Sequence, residues 1–137
     1  MNTVTVHIIE NRAPMVLPTL SETLTEGLKS RIRTQSRLSQ VSAEGDAIFE
    51  GTVTDYKIGP AAVEAGTDRA ALNRLSITVS IKYTNNVVPE DSFDQTFTRY
   101  KDFSSATQPI QAQEEQIVRD IVEMLTEDIY NRAFANW

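Results

Sequence analysis

Leu75, Ile77, Val79, Ile81 and Tyr83 alternate strictly with Ser76, Thr78, Ser80, Lys82 and Thr84. Because successive side chains of a strand point to opposite faces, this pattern predicts a strand with one dry face and one hydroxyl-rich face. Thr3 to Glu10 alternates in the same way, with Val4, Val6 and Ile8 on one side and Thr3, Thr5 and His7 on the other, and predicts a first half-buried strand. Arg37 to Ser42 and Ala47 to Ile58 predict two more, joined by Ala43-Glu44-Gly45-Asp46, whose glycine suits a tight hairpin. Within the second, Phe49, Gly51 and Val53 share a parity that Tyr56 and Ile58 do not, which predicts a bulge or strong twist midway. Ser92 to Tyr100, carrying Phe93 and Phe97, predicts a last strand after a turn marked by Asn85-Asn86 and Pro89.

A different period governs two other segments. Leu20, Leu24, Leu28 and Ile32 recur every four residues and predict a helix ending near Gln35, with Thr19-Leu20-Ser21-Glu22 as a capping box at its start. Gly27 either weakens this helix or permits close packing. Ile117, Ile121, Leu125 and Ile129, with Val118 and Val122 beside them, predict a long amphipathic helix running almost to Trp137. Glu115 with Arg119, and Asp128 with Arg132, are spaced as i,i+4 ion pairs on its wet side. Gly59 to Asn73 is a Gly/Ala-rich connection, read as a surface turn longer than most hairpin loops, and Ser104 to Pro109 breaks the pattern before the second helix.

The order β-α-β-β-β-β-α needs a crossover only at the first helix, which makes the first two strands parallel and leaves the rest an antiparallel meander. Each strand has one apolar face and there are two apolar helical stripes, so both helices cover the same side. The expected fold is α+β: a two-layer sandwich, with a mixed, mainly antiparallel sheet, two helices on one face and a polar opposite face. No repeat or linker divides the chain, so residues 1–137 are expected to form a single domain.

Composition narrows the chemistry. The formal charge of -6 and the absence of a basic run argue against a nucleic-acid partner, whose affinity depends on many Lys and Arg contacts. No run of eighteen apolar residues could span a bilayer as a helix. With no cysteine there is neither a thiol nucleophile nor a zinc-thiolate site. His7 is the single histidine and has no partner at metal or triad spacing, so it reads as an ordinary strand residue. The carboxylates Glu114, Glu115, Asp120, Glu123 and Glu127 fall on a helix's solvated face. No nucleophile elbow, phosphate-cradling glycine loop or dinucleotide fingerprint occurs. The expectation is a protein without catalytic residues, metal or cofactor, working by binding. Two surfaces are candidates: the sheet face carrying Ser76, Thr78 and Ser80, and an anion site formed from Arg74 and Lys82 on one strand with Arg99 and Lys101 on its neighbour.

The segments GDAIFEGTVTDY (Gly45 to Tyr56), LNRLSITVSIKY (Leu72 to Tyr83), FDQTFTRYKDF (Phe93 to Phe103) and EDIYNRAFANW (Glu127 to Trp137) resemble, in order and over nearly the whole length, the LptE family of lipopolysaccharide-assembly lipoproteins. The resemblance implies a lipoprotein of Gram-negative bacteria at the periplasmic face of the outer membrane. Such a protein is anchored through an acylated N-terminal cysteine, plugs the LptD barrel, and helps pass lipopolysaccharide to the cell surface. No cysteine or lipobox is present here, so the expectation is that signal peptide and anchor were removed, with Met1 introduced in their place. Lipopolysaccharide carries phosphates, for which Arg74, Lys82, Arg99 and Lys101 are the expected contacts. Two readings from other classes stand beside this one: a periplasmic module carrying a lipid or small amphiphile between helices and sheet, and a hydrolase using scattered Asp and Glu residues.

Overall fold

The computed structural model describes residues 2–12, 19–60, 72–104 and 109–134. Along the chain run β1 (Thr3–Val6), β2 (Glu10–Asn11), α1 (Leu20–Gln35), β3 (Ser39–Gln40), β4 (Ala47–Pro60), β5 (Leu72–Asn85), β6 (Phe93–Ser104) and α2 (Ile110–Phe134), with a 3-10 turn at Pro89–Asp91 between β5 and β6. The six strands form one mixed sheet in the order β3-β1-β4-β5-β6, and β2 pairs with β4 beyond the end of β1. The odd-numbered residues Leu75 to Tyr83 of β5 are fully buried, together with Leu24, Leu28 and Ile32 of α1 and Ile121, Leu125 and Ile129 of α2, in one apolar cluster. Both helices thus cover one face of the sheet, giving the expected α+β two-layer sandwich.

Strands β4, β5 and β6 form an antiparallel meander. The register of β4 against β5 shifts between Val53 and Asp55, so Thr54 is an extra residue and the inward parity passes from Phe49 and Val53 to Tyr56. The bulge read from the sequence is therefore present. β5 and β4 extend to Leu72 and Pro60, pairing residues expected in the connection between them; residues 61–71 of that connection, and 105–108 of the break before α2, lie outside the described residues.

Four expectations are corrected. First, Thr3 to Glu10 is not one strand. Val6 pairs with Phe49 and Glu10 with Thr52, so four steps on one strand match three on the other. The extra residue reverses the parity: Ile8, expected inside, is 71% exposed, and Ile9 is buried instead. The backbone of Ile9, freed from the ladder, is caught by α1, where Thr25 Oγ1 accepts from Ile9 N at 2.9 Å and Ser21 Oγ donates to Ile9 O.

Second, the hairpin at Ala43 to Asp46 does not form, and the expected strand over Arg37 to Ser42 is only Ser39–Gln40. β3 and β4 flank β1, both parallel to it, so their connection crosses β1. The crossing is pinned by hydroxyls on the face of β1 away from the helices: Thr5 Oγ1 accepts from Gly45 N (2.9 Å) and donates to Ala43 O, while Thr3 Oγ1 accepts from Asp46 N (2.9 Å). The glycine serves this crossing rather than a turn, since a Cβ at position 45 would stand 3.0 Å from Val4 N.

Third, Thr19 has helical backbone angles (φ -90°, ψ -6°) and makes no side-chain cap, because a capping box needs an extended N-cap residue. Fourth, Asp128 does not pair with Arg132. It is taken by Arg99 of β6, and Arg132 donates to Gln95 Oε1 (3.0 Å) with its guanidinium over the Phe93 ring. The Glu115–Arg119 pair is formed as expected.

Candidate functional site

The pleat of the meander sorts side chains by parity, and Ser76, Thr78 and Ser80 fall on the face away from the helices. Register sets Thr52 and Thr96 beside Ser80, and Thr98 beside Thr78. The hydroxyls of Thr78 and Thr98 lie 3.0 Å apart. This hydroxyl field is bounded by charges at both ends: Glu50, Lys82 and Asp94 form one cross-strand row, and Lys57, Ser76 and Tyr100 another, followed by Arg74 opposite Asp102. Over this field no covering layer lies among the described residues, and the side chains of Thr52, Ser76, Thr78, Ser80, Lys82, Thr96 and Thr98 are partly or fully exposed; only toward Ile48, 8% exposed, does the crossing segment approach the same face.

The four basic residues do not come together. Arg74 and Lys82 are on the open face. Arg99 and Lys101 lie opposite Ile77 and Leu75, on the helix side of the edge strand β6, where they bridge to α2. Arg99 grips Asp128 through two hydrogen bonds (2.6 and 2.8 Å), and Lys101 donates to Asp120. Arg74 holds Asp102 in a two-point fork (2.7 and 3.2 Å) with its guanidinium 3.9 Å from the Tyr100 ring centre. The hydrogen bonds from Arg74 and Lys101 hold the Asp102 and Asp120 carboxyls below the usual carboxylate value. Lys82 makes no ion pair among the described residues, although Glu50 and Asp94 are its cross-strand neighbours.

His7 lies exposed in the break between β1 and β2, its amide bonded to Phe49 O (3.0 Å). Glu114 accepts from the hydroxyl of Tyr56; burial, and then this carboxylate, push the tyrosine well above its usual range. Burial also raises Tyr83 to about 12. Among the described residues no three His, Asp or Glu side chains stand together as a metal site would require. The space between helices and sheet, where an amphiphile would lie, is occupied by the apolar cluster itself.

One surface escaped the sequence reading. The β5–β6 turn presents Val87 and Val88, 55% and 39% exposed, on a tightly bonded frame. Asn85, itself buried, accepts from the amides of Val87 (3.0 Å) and Val88 (2.8 Å), and Asn86 is tied to the crossing segment through Asp46 O (2.8 Å) and Gly45 O (3.0 Å). The signal was an apolar pair inside an otherwise polar turn.

A filled core, an uncovered polar sheet face and an apolar turn held on a hydrogen-bonded frame characterise this two-layer α+β fold. The LptE family model, described as "Lipopolysaccharide-assembly", matches residues 1–133, and the chain belongs to that family. No functionally curated protein matches it. Among solved structures it is similar to rare lipoprotein B from Shewanella oneidensis (TM-score 0.68, 10% identity, covering 98% of this chain and 96% of that one) and to a minor lipoprotein from Acinetobacter baumannii (0.64, 14%, 98% and 94%). Uncharacterized lipoprotein B from Nitrosomonas europaea is also similar (0.59, 17%, 98% and 84%). At these identities the likeness establishes the fold.

Proposed function

We propose that the protein is a non-catalytic subunit of the outer-membrane lipopolysaccharide translocon, one that plugs an LptD-type barrel, supports its assembly and assists passage of lipopolysaccharide to the cell surface. The observation that carries this reading is the open sheet face, in a chain whose family assembles lipopolysaccharide. The lumen of a large outer-membrane barrel is polar. A field of hydroxyls bounded by charges of both signs can exchange hydrogen bonds with such a wall, while the apolar side of the sheet is already closed by α1 and α2. Val87 and Val88, held on their Asn85 frame, supply a preorganised apolar tip for a pocket in the same partner.

The lipopolysaccharide phosphates would be met by Arg74, Lys82, Arg99 and Lys101, with Lys82 foremost because the other three already hold carboxylates. Attachment at the periplasmic face would come from an acylated N-terminal cysteine. Mass spectrometry of the full-length protein extracted from membranes should find that lipid; an unmodified N-terminus would exclude the anchor. Coexpression with an LptD-type barrel tests the central reading. The two should copurify as a stoichiometric complex, and failure to associate with both partners folded would refute it.

A further inference from the structure

The two margins of the sheet differ in length. One is β3, of two residues; the other is β6, of twelve, and among the described residues no strand pairs with its outer side. In an antiparallel ladder alternate residues direct amide and carbonyl away from the neighbour they pair with, so β6 presents a row of backbone donors and acceptors. Inward-pointing charges often block such an edge. Arg99 and Lys101 stand where they could do so, but both are turned to α2, held by Asp128 and Asp120.

Beside this edge a groove of about 420 Å³ separates β6 from α2, lined by Tyr100, Lys101, Asp120, Glu123, Met124 and Glu127. The helix-side side chains of a strand added to β6 would enter it. Met124, packed against the core, supplies an apolar floor. Lys101 is the only cation of the lining, and Asp120 engages it, so the exposed Glu123 and Glu127 have no counter-charge in the groove. The arginines around it are engaged elsewhere: Arg99 with Asp128, Arg119 with Glu115, and Arg132 with Gln95 and the Phe93 ring. Arg31 of α1 reaches Glu123 through its backbone oxygen (3.2 Å).

We infer that β6 and the adjoining flank of α2 form a strand-addition site for an extended segment of a partner protein that carries Lys or Arg at alternate positions. Main-chain hydrogen bonds to β6 give the affinity, and Glu123 and Glu127 select the basic side chains. A second copy of this chain is a poorer occupant, because pairing β6 with β6 would bring two acidic grooves together. The site lies on the edge of the sheet rather than on its hydroxyl face, so it stands whether or not the barrel reading holds.

Amide hydrogen exchange of the free protein should alternate along β6, slow where an amide is bonded to β5 and fast in between. A blocked peptide of alternating lysine and valine, about six residues long like a typical strand, should slow the fast set at constant ionic strength. It should also shift the amides of Glu123, Met124 and Glu127 saturably. A matching peptide of glutamate and valine should bind at least about tenfold more weakly. Glu123→Gln combined with Glu127→Gln, at exposed positions where folding is not in question, should weaken the lysine peptide about tenfold. Glu44→Gln, on the β3 side of the sheet, should leave it unchanged. The inference is overturned if the lysine peptide leaves the β6 amides unprotected, if the double variant keeps full affinity, or if Glu44→Gln weakens binding as much as the double variant. Protection of β6 that rises with protein concentration alone would also overturn it, assigning the edge to a second copy.

Discussion

Thr25 Oγ1 stands 2.9 Å from the amide of Ile9 and donates its own proton to Ser21 O at 2.7 Å, so one buried hydroxyl ties the broken first strand to the middle of α1. Replacing it with the isosteric valine leaves the Ile9 amide without an acceptor in a site that water does not reach. Thr25→Val should therefore lower the unfolding free energy by about 1–3 kcal/mol, the usual cost of a buried unsatisfied donor. Urea denaturation with an unchanged slope would register it; a variant as stable as the parent would show that the break is held by something else.

Gly51 faces the helices where β4, β5 and the Ile9 segment converge. A Cβ there would lie 2.6 Å from Ile81 Cδ1 and 3.1 Å from Ser80 O. Gly51→Ala should destabilise the fold by about 1–3 kcal/mol through overpacking. Adding Ile81→Val, which removes the clashing methyl group, should recover part of that loss, although Ile81→Val alone destabilises. If the double variant is no better than Gly51→Ala, the close approach is not the cause.

Acid should act through the fork between strands and the bridge to α2. Asp102 is held below its ordinary value of 3.8 mainly by hydrogen bonding from Arg74, and Asp120 mainly by hydrogen bonding from Lys101. A carboxyl whose pKa is lower in the folded than in the unfolded state stabilises the fold above the unfolded value, and that stability is lost as pH falls through the folded one. The contribution of both residues should thus be constant from neutrality to about pH 4 and decline below it. Asp102→Asn should be slightly less stable at pH 7 and show a shallower acid decline, with the difference shrinking in high salt because the pair is partly exposed. An identical acid profile would show that Asp102 carries no share of the effect.

Lipopolysaccharide capture separates Lys82 from the other cations. Lys82→Gln should reduce the amount retained in a pull-down with little change in thermal stability, because Lys82 makes no ion pair among the described residues and the neutral side chain adds no like charge beside Glu50 and Asp94. Charge reversal at Arg74, Lys82, Arg99 and Lys101 together should reduce it further, but also loosen α2 from β6. Undiminished capture by the folded quadruple variant would remove all four from consideration.

The segments legible in the sequence were those in which one period runs without interruption. Leu75 to Tyr83 and the stripes of α1 and α2 declared their buried faces because every second, or every fourth, residue obeyed the pattern. The Thr54 bulge was legible too, since it left a change of parity between Val53 and Tyr56. The extra residue between Val6 and Glu10 left no such trace: Ile8 and Ile9 are chemically equivalent, and only the pairing with β4 decides which is inside. Gly45 misled for a related reason, because a glycine needed for close approach to Val4 looks the same as one needed for a turn. At the candidate site, parity alone placed Ser76, Thr78 and Ser80 on the sheet face away from the helices. The basic quartet was not resolved, although parity separates it: Arg99 and Lys101 alternate in step with the buried Phe97 and Phe103 of β6, whereas Arg74 and Lys82 alternate out of step with the buried residues of β5.

The central claim is that the hydroxyl face meets the wall of a barrel. Thr78, in the middle of that face, can be replaced by a photo-crosslinking residue in the full-length protein coexpressed with an LptD-type barrel. Irradiation should give a covalent product between the two chains, with the attachment point on a lumen-facing residue of the barrel. An intact complex in which position 78 forms no crosslink to the barrel would contradict the account.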